Sequence, residues 1–227
     1  MAKGLFITGT DTGVGKTYVA AGLATALRRR GVDVGVMKPA ETGCSMHSGR
    51  LIPKDAIRLI KASGVRDSLT LVNPYRFRRP LAPVAAAEWE RKNVNMGKII
   101  NAYHVLLARH DFMIVEGAGG IMVPLSQDAT YLDLANAIDI PVLIVARPGL
   151  GTINHTLLTI SALRRREVPI AGIVINYAKD WKKRLAERTS PQLIEKISQV
   201  RILGIVPYGS KAFAHIAENL LISPPSG

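Results

Sequence analysis

Nine residues carry the densest chemistry in the chain: Gly9-Thr10-Asp11-Thr12-Gly13-Val14-Gly15-Lys16-Thr17. An apolar run, Gly4 to Thr8, precedes them, and an apolar-periodic stretch, Tyr18 to Leu27, follows. The order reads as strand, glycine-rich turn, helix. Such a turn suits a polyphosphate, because the N–H groups of Gly13, Val14 and Gly15 and of the helix start converge on anionic oxygens. Lys16 adds a point charge for the outer phosphates, and the Thr17 hydroxyl offers a ligand to Mg²⁺. Five residues separate Gly9 from Gly15-Lys16-Thr17, one more than the common spacing.

Other polar residues sit where apolar runs end. Lys38-Pro39 follows the second run; a lysine there converging with Lys16 would neutralise charge on a transferring phosphoryl group. Glu116 ends the third run, before Gly117-Ala118-Gly119-Gly120, and reads either as an exposed strand-end acid or as a Mg²⁺ ligand. Asp55, at a helix start, reads as a cap favoured by the helix dipole or as a ligand to the same ion. After the fourth run, Gly149 to Asn154 reads as an ordinary capped turn or as a second anion site. It has no lysine, which suits a carboxylate better than a triphosphate. Asn176 and Pro207-Tyr208 follow the fifth and sixth runs. Cys44 and His47 lack further ligands at metal spacing, which argues against zinc.

The elements that must position these residues follow from periodicity. Leu5–Thr8, Val32–Met37, Phe112–Val115, Val142–Ala146, Ile170–Ile175 and Ile202–Val206 are apolar throughout, as strands buried on both faces are. Between them lie helical patterns at Lys16–Arg30, Lys54–Ala62, Val94–Arg109, Tyr131–Ile138, Thr152–Glu167 and Pro191–Val200. The alternation predicts an α/β fold, a doubly wound, mostly parallel sheet flanked by helices. Ligands of such sheets bind at the carboxyl ends of the strands, where the residues above gather. From Pro39 to Lys92 no clear strand is legible and prolines stand at 53, 74, 80 and 83. That excursion is expected to wall or cover the carboxyl edge. The residues after Tyr208 read as an unremarkable tail, frayed from Pro224.

Composition narrows the class. The 227 residues, 48 % of them hydrophobic, fit one α/β domain spanning 1–227. No apolar stretch approaches the ~18 residues of a membrane span, and Met-Ala-Lys-Gly leaves no room for a signal peptide. A single cysteine, Cys44, excludes an internal disulfide framework and fits a reducing cytoplasm. The net charge of +13 suggests an anionic partner. The clusters Arg28–Arg30 and Arg164–Arg166 fall at helix ends, where they complement the dipole; Arg76–Arg79 and Lys182–Arg184 are scattered further along. A solvated surface therefore stands ahead of a nucleic-acid face.

Taken together, Gly9-Thr10-Asp11-Thr12 with Val14-Gly15-Lys16-Thr17, Lys38-Pro39 with Glu41-Thr42-Gly43, Val115 to Gly120, and Gly151 with Ile153-Asn154-His155 closely resemble the dethiobiotin synthetase family. Asn73-Pro74-Tyr75, Asp133 and Gly204-Ile205 with Pro207 also match it, so the resemblance runs from Lys3 to about Tyr208. It implies a P-loop NTPase fold and ATP-dependent carboxylation of 7,8-diaminopelargonic acid with CO₂ or bicarbonate, through a carbamic–phosphoric anhydride. It implies catalytic roles for Lys16, Lys38 and Thr12, with Thr12 and Thr42 bonding carbamate and phosphate oxygens. It implies Mg²⁺ on Thr17, Asp55 and Glu116, adenine read by Asn176 beside Pro207, and the substrate's distal carboxylate on Leu150, Gly151, Thr152, Ile153 and Asn154. In the family that turn comes from the neighbouring subunit, so a homodimer acting on small molecules is implied, without nucleic acid or membrane. Gly13 stands where some members carry Glu. Two rivals are a cobyrinic-acid-type amidoligase and a DNA-binding partitioning ATPase. The first usually adds a glutamine-hydrolysing domain, and the second carries a lysine where this chain has Asp11.

Overall fold

Six of the apolar runs pair as one sheet. The computed structural model describes residues 4–180 and 185–222; the first residues, the Lys182–Arg184 cluster and the tail from Pro224 lie outside them. β1 (Gly4–Gly9) leads into α1 (Lys16–Arg29), and β2 (Val34–Met37) follows. Next come β3 (Ala40–Glu41), β4 (Ser45–His47), β5 (Arg50–Ile52), α2 (Lys54–Ser63), α3 (Leu69–Val72), β6 (Tyr75–Arg76) and α4 (Pro83–Trp89). Then follow α5 (Met96–Leu107), β7 (Phe112–Gly120), α6 (Tyr131–Ala137), β8 (Val142–Ala146) and α7 (Thr152–Arg164). β9 (Ile170–Asn176), α8 (Leu185–Ser198), β10 (Ile202–Val206) and α9 (Ala214–Ile222) complete the described chain.

The sheet order is β10-β9-β8-β1-β7-β2, parallel at every pairing. Alternate residues of each strand feed opposite layers, as the two-residue period requires. Phe6, Met113, Val115 and Ile144 pack in one core, while Leu5, Ile7, Ile114 and Leu143 pack in the other against α1. Each such side chain, buried rather than exposed, contributes about 1.5–3 kcal/mol.

Several expectations change. The excursion from Pro39 to Lys92 is not strandless: β3 pairs β6, and β4 pairs β5. These strands are two or three residues long, too short for a period to show. β2 starts at Val34 rather than Val32. α8 begins at Leu185, six residues before the expected start, and carries Pro191 inside it, which has no N–H to bond the Glu187 carbonyl. The segment after Tyr208 is not a plain tail: α9 packs on α1, with Phe213 edge-on to Tyr18 at 5.6 Å between ring centroids. Gly22 makes room for it, since a Cβ there would fall 2.3 Å from the Phe213 ring.

Candidate active site

Strand order decides which loops meet. β1 and β2 both flank β7, so the glycine-rich loop, Lys38 and Glu116 open onto one edge of the sheet. A cleft of about 720 Å³ lies there. Its lining includes Thr12, Gly13, Gly15, Lys16, Thr17, Lys38, Thr42, Asp55 and Glu116.

The loop keeps its shape through backbone. Gly15, at φ 91°, precedes α1 and supplies no side-chain cap, so the first N–H groups of the helix stay free for an anion. A Cβ on Gly15 would come 2.1 Å from Asn176 Nδ2. Asn176, at the end of β9, donates that amide to the Val14 carbonyl at 2.8 Å and is 1 % exposed. Its Oδ1 is buried and has no hydrogen-bond partner among the described residues. Gly13 also takes positive φ, 77°, with open space around it, so backbone rather than room disfavours a larger residue there.

Lys16 is buried, and its Nζ donates to the Asp11 carbonyl at 3.1 Å. Burial, helped by the nearby Lys38 ammonium, pushes its pKa down to about 8. Lys38 is buried too, but its Nζ lies 2.5 Å from Glu116 Oε1 and 3.0 Å from Asp55 Oδ2. Burial works against its charge, and the two carboxylates overcome that and hold it above the ordinary lysine value. Thr17 Oγ1 donates to the same Glu116 oxygen at 2.7 Å. Glu116 is fully buried within β7, not exposed at a strand end, because β7 runs on to Gly120.

These groups fit a hard divalent cation. Thr17, Asp55 and Glu116 offer only oxygen, the donor set Mg²⁺ takes, and Glu116 Oε2 is buried without a hydrogen-bond partner among the described residues. Two neutralising lysines alongside suit the phosphates that such an ion accompanies.

Other expected residues stand apart from this cleft. Leu150, Gly151, Thr152, Ile153 and Asn154 form the start of α7 and do not line it. Leu150 is 87 % exposed, whereas Thr152 is buried. Gly151 takes φ 86° and again leaves the helix without a side-chain cap. Pro207 is exposed in the turn after β10, its carbonyl accepting from Ser210 N at 3.0 Å, and it does not line the cleft. Asp133 forms a capping box with Thr130 and pairs with Arg166 at 2.6 Å, a structural task.

The expected wall forms from the excursion, where Pro80, Leu81, Ala82 and Pro83 line the cleft. Sequence reading gave no role to Glu41 beyond its place in a motif. Glu41 lines the cleft as well, yet its carboxylate turns to the α2 N-terminus. Burial pushes the Glu41 carboxyl upward, against the two backbone N–H groups it accepts.

Comparison with known proteins agrees with this geometry. A family profile described as an AAA domain matches residues 3–214. The ATP-dependent dethiobiotin synthetase BioD of Thermodesulfovibrio yellowstonii is 40 % identical over 92 % of this chain and 90 % of that protein. The protein of the same name from Anaeromyxobacter dehalogenans is 52 % identical over 77 % of this chain and 76 % of its own. The chain belongs to the dethiobiotin synthetase family. Beyond the family the fold is shared more widely. The septum site-determining protein MinD of Pyrococcus horikoshii, solved with Mg-ADP, superposes with a TM-score of 0.64 at 16 % identity, covering 97 % of this chain and 96 % of that one. At that identity the likeness is one of fold, a P-loop NTPase sheet.

Proposed function

We propose that this chain makes dethiobiotin from 7,8-diaminopelargonic acid, CO₂ and ATP, releasing ADP and phosphate. The observation that carries the reading is Lys16 and Lys38 in one cleft with Thr17 and Glu116, at the mouth of the glycine-rich loop. One substrate amine takes up CO₂ as a carbamate. A carbamate oxygen attacks the γ-phosphorus, the bond to the bridging oxygen breaks, and ADP leaves. The second amine then attacks the carbonyl carbon of the mixed anhydride. Its proton is lost, the carbon–oxygen bond to phosphate breaks, and the ureido ring closes.

Lys16 and Lys38 neutralise charge on the phosphoryl and carbamate oxygens, and Thr12 and Thr42 donate hydrogen bonds to them. Thr17, Asp55 and Glu116 would hold Mg²⁺, which when bound draws charge from the phosphate oxygens. No strong general base is required, because the amines need only be deprotonated and placed. Asn176 reads adenine beside Pro207; its Oδ1, without a partner among the described residues, suits an amino-group donor. Leu150–Asn154 of a second copy take the distal carboxylate. The α7 start has no side-chain cap, although Thr152 N–H is held by the Gly149 carbonyl at 3.2 Å, and it does not line the chain's own cleft; both features support a homodimer. The single reduced cysteine supports a cytoplasmic setting for one domain, 1–227, with small-molecule substrates and without nucleic acid or membrane partners. Among the described residues no helix is long and apolar enough to cross a membrane.

The test is direct. The protein is incubated with diaminopelargonate, bicarbonate, Mg²⁺ and ATP, and phosphate and dethiobiotin are measured. Equal release of both products is expected; phosphate release that ignores diaminopelargonate overturns the reading.

A further inference from the structure

We propose that Glu41 is a positioning residue that acts on the site through the first turn of α2. α2 starts after Pro53, which offers no side-chain cap, so its first N–H groups need an acceptor from elsewhere. Glu41 supplies it from fourteen residues away: Oε1 accepts from Asp55 N and Oε2 from Ala56 N, both at 3.0 Å. Glu41 is itself fixed, being 6 % exposed, with its carbonyl accepting from Phe77 N at 2.9 Å in the β3–β6 pairing. Both carboxylate oxygens are engaged by backbone, so the group contacts the cleft without being free to ligate anything in it.

The residue it grips is the consequential one. Asp55 carries the carboxylate that pairs with Lys38 at 3.0 Å, and Lys38 meets Glu116 at 2.5 Å. Asp55 is 43 % exposed at its side chain, so the cleft wall does not immobilise it; the anchored helix start does. A negative charge on the N-terminus of α2 also favours the helix dipole at that point. Glu41 thus relays the rigidity of β3 to the Asp55–Lys38–Glu116 cluster.

The role in turnover rests on the reading above, so the experiment includes one measurement that does not. ADP affinity is titrated at rising Mg²⁺ in the wild type, Glu41→Ala, Glu41→Gln, Asp55→Ala and the double variant Glu41→Ala/Asp55→Ala, beside melting temperatures and turnover. Glu41→Ala is expected to raise the half-saturating Mg²⁺ about fivefold and to lower kcat by about tenfold, while Mg²⁺-free ADP affinity stays within about twofold. Glu41→Gln keeps one acceptor and falls between. In the Asp55→Ala background Glu41→Ala should add little, since the two act as one unit. Additive losses in the double variant, or unchanged Mg²⁺ dependence in a folded Glu41→Ala, overturn the proposal. Should Glu41→Ala not fold, Glu41→Gln decides: a wild-type Mg²⁺ requirement overturns the proposal and a raised one supports it. Absence of dethiobiotin formation by the wild type would count against the function alone, because the Mg²⁺ titration stands without it.

Discussion

Lys16 and Lys38 bear the same ammonium in opposite settings. Lys38 has two carboxylates at hydrogen-bond distance, which keep it charged despite full burial. Lys16 has no carboxylate at hydrogen-bond distance among the described residues, only the Asp11 carbonyl, and burial brings its pKa to about 8 against the more distant pull of Glu116, Asp55 and Asp11. A buried cation without a close counter-ion is costly, and an arriving phosphate supplies one. Lys16 is therefore the residue with most to gain from nucleotide. Lys16→Gln is expected to lower kcat/KM at least ~100-fold, the order lost when a preorganised charge is removed. Its melting temperature should match or exceed the wild-type value, because a strained buried charge is gone. Steady-state kinetics with a thermal melt check both, and full activity would reject the role of the loop.

At the scale of elements, the loop between α2 and α3 is clamped by charge. Asp67 accepts from Arg109 at 2.8 Å and meets His110 at 2.7 Å, and His110 also meets Asp33 at 3.1 Å. Burial works against the Asp67 carboxylate, but the bonds from His110 and Arg109 prevail and hold its pKa below the ordinary value. A depressed carboxylate adds stability above its unfolded pKa, near ~3.9, and loses it as pH falls through the folded value beneath. Asp67→Asn should thus destabilise the protein at pH 7 and differ less from wild type as pH approaches 3. Urea unfolding at both pH values tests this; a constant difference would show that charge is not the cause.

At the scale of the molecule, the proposed dimer divides the site between two copies. The start of α7 does not line the Lys16–Lys38 cleft, and Leu150 beside it is exposed. The proposed homodimer brings the cleft of one copy to the α7 turn of the other. Mixing then has a definite outcome. Lys16→Gln and Asn154→Ala should each be weak alone, whereas equal mixtures, refolded together, should recover about a quarter of wild-type activity, since half the dimers carry one intact site. No recovery, with heterodimers shown to form, would place both half-sites in one subunit. The net charge of +13 is spread over surfaces such as Arg76–Arg79 and the helix ends, and among the described residues the cleft lining takes Lys16 and Lys38 of it.

What the sequence determined by itself is what short-range physics writes into it. Gly13 and Gly15 adopt the left-handed backbone that the turn needs, and the apolar runs are continuous because both faces of the sheet are covered. The loop, the six strands and the family likeness were legible for that reason. β3 to β6 and α9 were not, since strands of two or three residues have no period and α9 is shaped by its contact with α1. Nor could sequence show that Glu41 caps a helix fourteen residues on, or that Glu116 lies inside its strand. The meeting of Thr17, Lys38 and Glu116, separated by up to 99 residues, was decided only by tertiary structure. The strand order β1-β7-β2 sets Glu116 between the other two, and that order comes from packing across the sheet rather than from any local preference.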